Sequence, residues 1–306
     1  MQGSPRAEQI LSVSNLSKRL RDIQAVDMLS AEVYRGDVYG LLGPNGSGKS
    51  TTIRMMLSLL RPDSGDIRIF NLDLVHHRRR ILKRIGAFIE KPDFYEYLSA
   101  YKNLEMLCLY SGGKPDRNRI MEVLELLGLH TRARSKVKTF SKGMKQRLGI
   151  AQSLLHDPEL LILDEPASGL DPAGNRDIRE LIRYLNKEKG KTIILSSHNL
   201  SEIELVAHRV LIIDKGKKLI EGNVPEMLSA QSYLSIIKSP KAKEAAEIMK
   251  KSHFECSPYE VRGDLLYLKC TRREMPEINK FLVNNGIDIE SINMEQKLEE
   301  FFLHMT

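Results

Sequence analysis

The 306-residue sequence contains no run of the roughly eighteen apolar residues that a bilayer-spanning helix requires, which excludes a helix-bundle membrane protein. Residues 1–9 are polar, lack the apolar segment of a secretory signal and are expected to be flexible. Cysteine is scarce: Cys108, Cys256 and Cys270 are scattered with no Cys-x-x-Cys pair. A disulfide framework is thereby excluded, and plain thiols in a reducing cytosol are expected. Neither charge sign dominates, since 47 Lys and Arg against 40 Asp and Glu leave +7. That balance suits a nucleic-acid or membrane-surface partner and equally suits neither. With 42% hydrophobic and 28% charged residues, the chain has the composition of a protein with a real core, in one large domain or two ordinary ones.

The stretch Gly43-Pro44-Asn45-Gly46-Ser47-Gly48-Lys49-Ser50 lies between an apolar run, Val38 to Leu42, and a helical pattern from Thr51 to Leu60. That context is the one a phosphate-binding loop requires. Its glycines let successive N–H groups turn inward around phosphate oxygens, and the helix that opens near Thr51 adds partial positive charge. Lys49 supplies a full charge for the β- and γ-phosphates, and the Ser50 hydroxyl is a candidate Mg²⁺ ligand.

Ile10 to Leu16 reads as a strand, Ala25 to Tyr34 as extended, and Asp66 to Phe70 as a short strand. The basic run His76 to Arg80, with Lys83 and Arg84, opens a helical segment that is either a solvated face or a contact for anionic headgroups. After the buried strand Ile85 to Glu90, apolar spacing predicts helices over Ser99–Tyr110, Asp116–Leu127 and Ser141–Leu155. This all-helical insert covers about residues 91–158 of an α/β core. Leu160 to Leu163 then leads into Asp164 and Glu165. A strand buried on both faces puts these acids at its C-terminal end, where ligands sit in an open α/β sheet. Asp164 is placed to hold Mg²⁺ opposite Ser50, and Glu165 to act as general base toward a water. Pro172 to Asn186 is a helix, Thr192 to Ser196 another strand, and His198 beyond it is a candidate γ-phosphate contact. Arg209 to Gly222 reads as a hairpin turning at Lys215-Gly216.

With Ser141-Lys142-Gly143-Met144-Lys145-Gln146-Arg147 added, residues 10–222 resemble the ATPase subunit of an ATP-binding cassette transporter. The chain is most similar to single-cassette bacterial exporter ATPases of the bacitracin-resistance and lantibiotic self-protection kind. In that family Gly43–Ser50 corresponds to Walker A, Leu160–Glu165 to Walker B with its catalytic glutamate, and Ser168–Asp171 to the D-loop. His198 corresponds to the switch histidine, and Ser141–Met144 to the signature. The resemblance implies ATP and Mg²⁺, and a head-to-tail pair in which Ser141 and Gly143 of one copy cap the ATP of the other. It also implies that Asp171 lies near the shared nucleotide, and that a polytopic membrane permease holds the chain at the cytoplasmic face of the plasma membrane. Four departures stand out. Lys142 and Met144 replace signature residues, and Leu20 stands where the family stacks an aromatic on adenine. Glu90 stands where the family has glutamine, which puts a carboxylate near Mg²⁺ and its water.

Residues 223–306 read as a small α+β accessory domain. Its strands and helices fall in the order βαββαβ, from Tyr233–Ile237 to Ile287–Asn293, which points to a ferredoxin-like split. An amphipathic end at Leu298–Leu303 follows. Two competing functions are a soluble cassette protein acting on ribosomes or nucleic acid, and a P-loop kinase. The first usually carries tandem cassettes or a coiled-coil insert, and the second has no use for a signature or D-loop. No nucleic-acid partner is therefore expected.

Overall fold

A computed structural model describes residues 8–89, 93–229, 233–252, 254, 258–270 and 274–295. Glu90, residues 1–7 and Leu298–Leu303 lie outside the described residues. The chain divides after Val224 into two compact units.

The first unit begins with a long antiparallel hairpin, β1 (Gln9–Leu20) and β2 (Ile23–Tyr34). Gln9, expected to be flexible, already pairs with Tyr34. β1 also runs past the expected Leu16, because its polar end is held: Asp63 accepts from Lys18 Nζ and from the Arg19 N–H, both at 2.7 Å. β3 (Val38–Leu42), buried at every residue, leads through the glycine-rich loop into α1 (Lys49–Met56). This helix stops four residues before the expected Leu60. Ser58 takes a left-handed φ of 55°, and the N–H groups of Leu59 and Leu60 turn back to the Arg54 carbonyl. β4 (Ser64–Ile69) and the short β5 (Leu72–Asp73) follow. Together they complete an antiparallel sheet of order β2-β1-β4-β5. The basic run forms α2 (Leu74–Leu82), capped by Asp73; Leu74 and Ile81 are buried, and His76 to Arg80 face solvent.

β6 (Ile85–Phe88) precedes the helical insert, α3 (Ala100–Tyr110), α4 (Arg117–Leu126) and α5 (Lys142–Leu154). Ser99, Asp116 and Ser141 each accept a hydrogen bond from the first turn as N-caps, which fixes where these helices start. β7 (Leu160–Leu163), α6 (Pro172–Lys187), β8 (Thr192–Ser197) and α7 (Leu200–Val206) return the chain to the core. β9 (Arg209–Asp214) and β10 (Lys217–Asn223) form the expected hairpin. The second sheet has order β10-β9-β3-β8-β7-β6 and is parallel except for β10. Its apolar strands share one core with the antiparallel sheet and α1. The architecture is the α/β P-loop fold with a β-rich N-terminal part and a helical insert.

α8 (Val224–Ser229) straddles the division between the units. The second unit contains β11 (Tyr233–Lys238), α9 (Ala242–Lys250), β12 (Pro258–Arg262), β13 (Leu265–Cys270), α10 (Met275–Asn284) and β14 (Ser291–Glu295). Sheet order β12-β13-β11-β14, antiparallel throughout, is the ferredoxin-like arrangement. The last strand begins four residues later than its apolar residues suggest. Gly286, at φ 78°, ends α10, and Ile287 fills the core at 2% exposure before pairing starts at Lys238 with Ser291.

Candidate active site

β3, β8 and β7 are neighbours in the sheet and parallel, so their C-terminal ends open on one edge. Pairing sets Leu42 beside Ser197 and Leu163 beside Leu195. The residues that follow each strand, Gly43 to Ser50, His198, and Asp164 with Glu165, therefore meet although more than a hundred positions separate the first from the others. The loop is shaped by its glycines. Gly48 has φ 106°, and a Cβ there would lie 2.3 Å from the Ala25 carbonyl oxygen. Only glycine fits that conformation and that approach. Gly46, also at positive φ, faces open space on the side where a phosphate would enter. Pro44 closes the loop with its carbonyl on the Ser47 N–H at 3.2 Å, and the buried Ser47 Oγ has no hydrogen-bond partner.

Lys49 is 5% exposed, and its Nζ donates to the Gly43 carbonyl at 2.7 Å and to that of Pro44 at 3.1 Å. Burial pushes its pKa down, and the carboxylates of Glu165 and Asp164 oppose that shift. Its Nζ stands 3.6 Å from Glu165 Oε1. The other oxygen, Glu165 Oε2, accepts from His198 Nδ1 at 2.8 Å. An ionised carboxylate only accepts, so the imidazole hydrogen sits on Nδ1 and Nε2 remains for another contact.

Two residues in this edge were not anticipated from the sequence. Ser196, fully buried in β8, donates from Oγ to Asp164 Oδ1 and accepts the Glu165 N–H at 2.9 Å. From α5, Gln146 Nε2 donates to the carbonyls of Glu165, at 3.4 Å, and Pro166. Both hold a peptide turn in which Glu165 has a left-handed φ of 51°. A non-glycine residue keeps that conformation only when its surroundings over-determine it. The signal in the sequence was the pair of serines ending an otherwise apolar strand, since hydroxyls buried in a sheet need partners.

The parts converge on a cleft of about 460 Å³ lined by Asn45, Gly46, Lys49, Ser50, Glu165 and His198 among others, with Thr51 from the helix start and Leu20 and Ile23 from the tip of the β1–β2 hairpin. Asp164 stands behind Glu165 and is not among the lining residues, and Ser141, Gly143 and Asp171 do not line the cleft either. Ser141 Oγ accepts the Met144 N–H at 3.2 Å and caps α5, and Asp171 accepts the Gly174 N–H at 2.9 Å and caps α6. Gly143 lies in the first turn of α5, near Leu170. Within one chain, then, the loop, both acids and the histidine come together, and the signature residues stand apart.

Residues 26–168 match the ABC transporter family. The chain is 43% identical over 299 residues to the bacitracin transport ATP-binding protein BcrA of Bacillus licheniformis, covering 97% of each. It is 41% identical over 212 residues to the lantibiotic transport ATP-binding protein SrtF of Streptococcus pyogenes, covering 69% of this chain and 90% of that one. Its backbone follows the ATP-binding cassette MJ0796, solved as a dimer in a post-hydrolysis state with ADP and Pi. There the TM-score is 0.64 at 25% identity, over 70% of this chain and 99% of that one. The chain belongs to the ATP-binding cassette transporter family. It is an ATP-binding, ATP-hydrolysing subunit of that family.

Proposed function

We propose that the chain hydrolyses Mg-ATP as a head-to-tail pair of identical copies and so powers export by a separate polytopic permease at the cytoplasmic face of the plasma membrane. The reading is carried by one observation: Glu165 reaches Lys49 with one carboxylate oxygen and His198 with the other, at the ends of adjacent strands. In this reading the loop N–H groups and Lys49 hold the β- and γ-phosphates. An arriving γ-phosphate exchanges the bonds that Lys49 makes to the Gly43 and Pro44 carbonyls. Glu165 takes a proton from the attacking water, and His198 keeps that carboxylate oriented and offers its remaining nitrogen toward the γ-phosphate. The donor set suits Mg²⁺: a hydroxyl at Ser50 and a carboxylate at Asp164, with phosphate oxygens to complete an all-oxygen shell. When bound, Mg²⁺ neutralises charge that develops on the phosphates. Glu90, the family's glutamine position, is proposed to approach that ion or its water.

Pairing of two copies is supported by the position of Ser141 and Gly143. They open α5 with the free N–H groups and dipole of a helix start, away from their own chain's cleft. Asp171, at the start of α6, belongs to the same shared surface. The permease is supported by the transport names of the relatives, and no helix among the described residues is long and apolar enough to cross a membrane.

Glu165→Gln tests the chemistry. It is expected to bind ATP normally, to lose roughly 10²–10⁴-fold in turnover, and to accumulate as a dimer with trapped ATP. Turnover near wild type would falsify the assignment. Mixing Lys49→Ala with Ser141→Arg protein tests the pairing, because each heterodimer keeps one composite site; recovered hydrolysis is expected, and full activity of a verified monomer would contradict it.

A further inference from the structure

We propose that helix α2 is a docking face for an anionic phospholipid surface, which it meets through Arg78, Arg79, Arg80 and Lys83. This rests on the chain working at a membrane face, and it names the lipid chemistry of that face. From Leu74 to Gly86 the sequence holds three arginines in a row, then Lys83 and Arg84, and no acidic residue. Arg84 is paired with Glu159 at 2.6 Å, and Asp73, just ahead of the helix, is taken up by the His76 ring at 2.8 Å. Arg78, Arg79, Arg80 and Lys83 are exposed, and among the described residues none of them has a carboxylate partner.

Other helices of the same unit treat their cations differently. Lys102 in α3 meets Glu105 at 2.5 Å, Arg119 in α4 meets Glu122 at 2.9 Å, and Arg176 in α6 meets Glu180 at 2.9 Å. A solvated helix face gains from opposite signs one turn apart and loses from like signs at that spacing. Arg79 and Lys83 stand one turn apart with the same sign. Attraction to the carbonyl end of the helix offsets a charge or two in its last turn. It does not account for Arg78, or for a face with no acid at all. An anionic layer accounts for both. Arg78, Arg79 and Lys83 also line a cleft of about 920 Å³ with Tyr110, which is 69% exposed, and no Asp or Glu is in that lining. A tyrosine beside long basic stems suits the headgroup level, where apolar body and polar tip are both accommodated. Leu74 and Ile81 are committed to the core, so α2 cannot roll to bury an apolar face in lipid. Contact therefore stays at the phosphates, electrostatic and reversible. An acidic protein segment needs a fixed register of carboxylates. Among the described residues no hydrogen bond holds these four side chains in one, whereas mobile headgroups need none.

The experiment measures partition of the full chain onto phosphatidylcholine vesicles with and without about one-third phosphatidylglycerol. Binding to the anionic vesicles alone is expected, with its loss near 1 M salt, where the screening length shrinks to about 3 Å. Equal binding to neutral vesicles, or none to anionic ones, overturns the inference. At roughly fivefold per charge, Arg79→Gln/Arg80→Gln/Lys83→Gln is expected to weaken partition about a hundredfold. Its ATPase without vesicles is expected to match wild type, which checks that these exposed changes leave the fold intact. Lys243→Gln/Lys250→Gln/Lys251→Gln removes the same charge at α9 and is expected to bind nearly as wild type does. If it loses as much as the α2 variant, net charge alone governs binding and the docking face is refuted. Poly-glutamate supplies the last arm. Should it bind wild type and not the α2 variant while anionic vesicles bind neither, the face takes an acidic protein segment and the lipid inference falls. These measurements contain no permease, so their failure leaves the permease reading standing, and failure to copurify with a permease leaves vesicle partition untouched.

Discussion

The central sheet has charged residues at both ends of its strands, and the two ends use them differently. At the N-terminal end, Arg84 grips both oxygens of Glu159 at 2.6 and 2.9 Å, Arg35 grips both of Glu8 at 2.6 and 3.1 Å, and Arg35 also reaches Glu159 at 3.2 Å. These side chains are a third or more exposed, and each charge has its opposite. Hydrogen bonds from Arg84 hold the Glu159 carboxyl below its ordinary value, and those from Arg35 do the same for Glu8. At the C-terminal end, Lys49 and Asp164 are each 5% exposed, and Lys49 meets Glu165 only at 3.6 Å. Charges paired two by two in water fasten strands together. Buried charges with incomplete partners are ready for a ligand, and that difference separates a structural network from a reactive one.

Breaking the reactive end should have the largest effects. Gly48→Ala forces a Cβ to 2.3 Å from the Ala25 carbonyl oxygen at φ 106°, and nucleotide affinity is expected to fall at least about a hundredfold, as read by calorimetry. Ser196→Ala comes next. It removes the hydroxyl between Asp164 and the Glu165 N–H, so kcat should fall roughly 10–100-fold with KM little changed. A KM change of the same size would mean that Ser196 supports binding instead. The smallest effect belongs to the other end, where Glu159→Gln should leave kcat alone and lower Tm at neutral pH by about 1–2 °C. The sign with pH follows from the depressed carboxyl. Its stabilising share is complete above the ordinary value of 4.5 and is lost as pH falls through the lower folded value. Wild type and variant should therefore converge in acid, and a gap that widened there would contradict the pairing.

Much of the reactive end was legible because its chemistry is local in sequence: the glycine loop, and two acids after an apolar strand. His198 was legible from its place just beyond the strand Thr192 to Ser196, and the family resemblance agreed with it. Ser196 and Gln146 were not legible, because what they do depends on which strands and helices become neighbours. α7 was missed because its seven residues hold barely two turns of periodicity. The shifted β14 has a similar cause, since Ile287 reads as strand by its hydrophobicity and is used instead to plug a core. Glu90, the most unusual substitution in the motif set, lies outside the described residues.

The register of β3, β8 and β7 also sets where this gene can change length. Deleting one residue within Thr192–Ser197 would slide Ser196 off Asp164 and turn every remaining side chain of β8 to the opposite face of a sheet buried on both. No substitution nearby restores the frame. The Ser111–Lys114 turn between α3 and α4 is exposed, rich in glycine and outside the strands. Inserted residues there lengthen a loop at small entropic cost. Drift in length among descendants of this sequence is expected to collect at that turn, with the strand ends held to a fixed count.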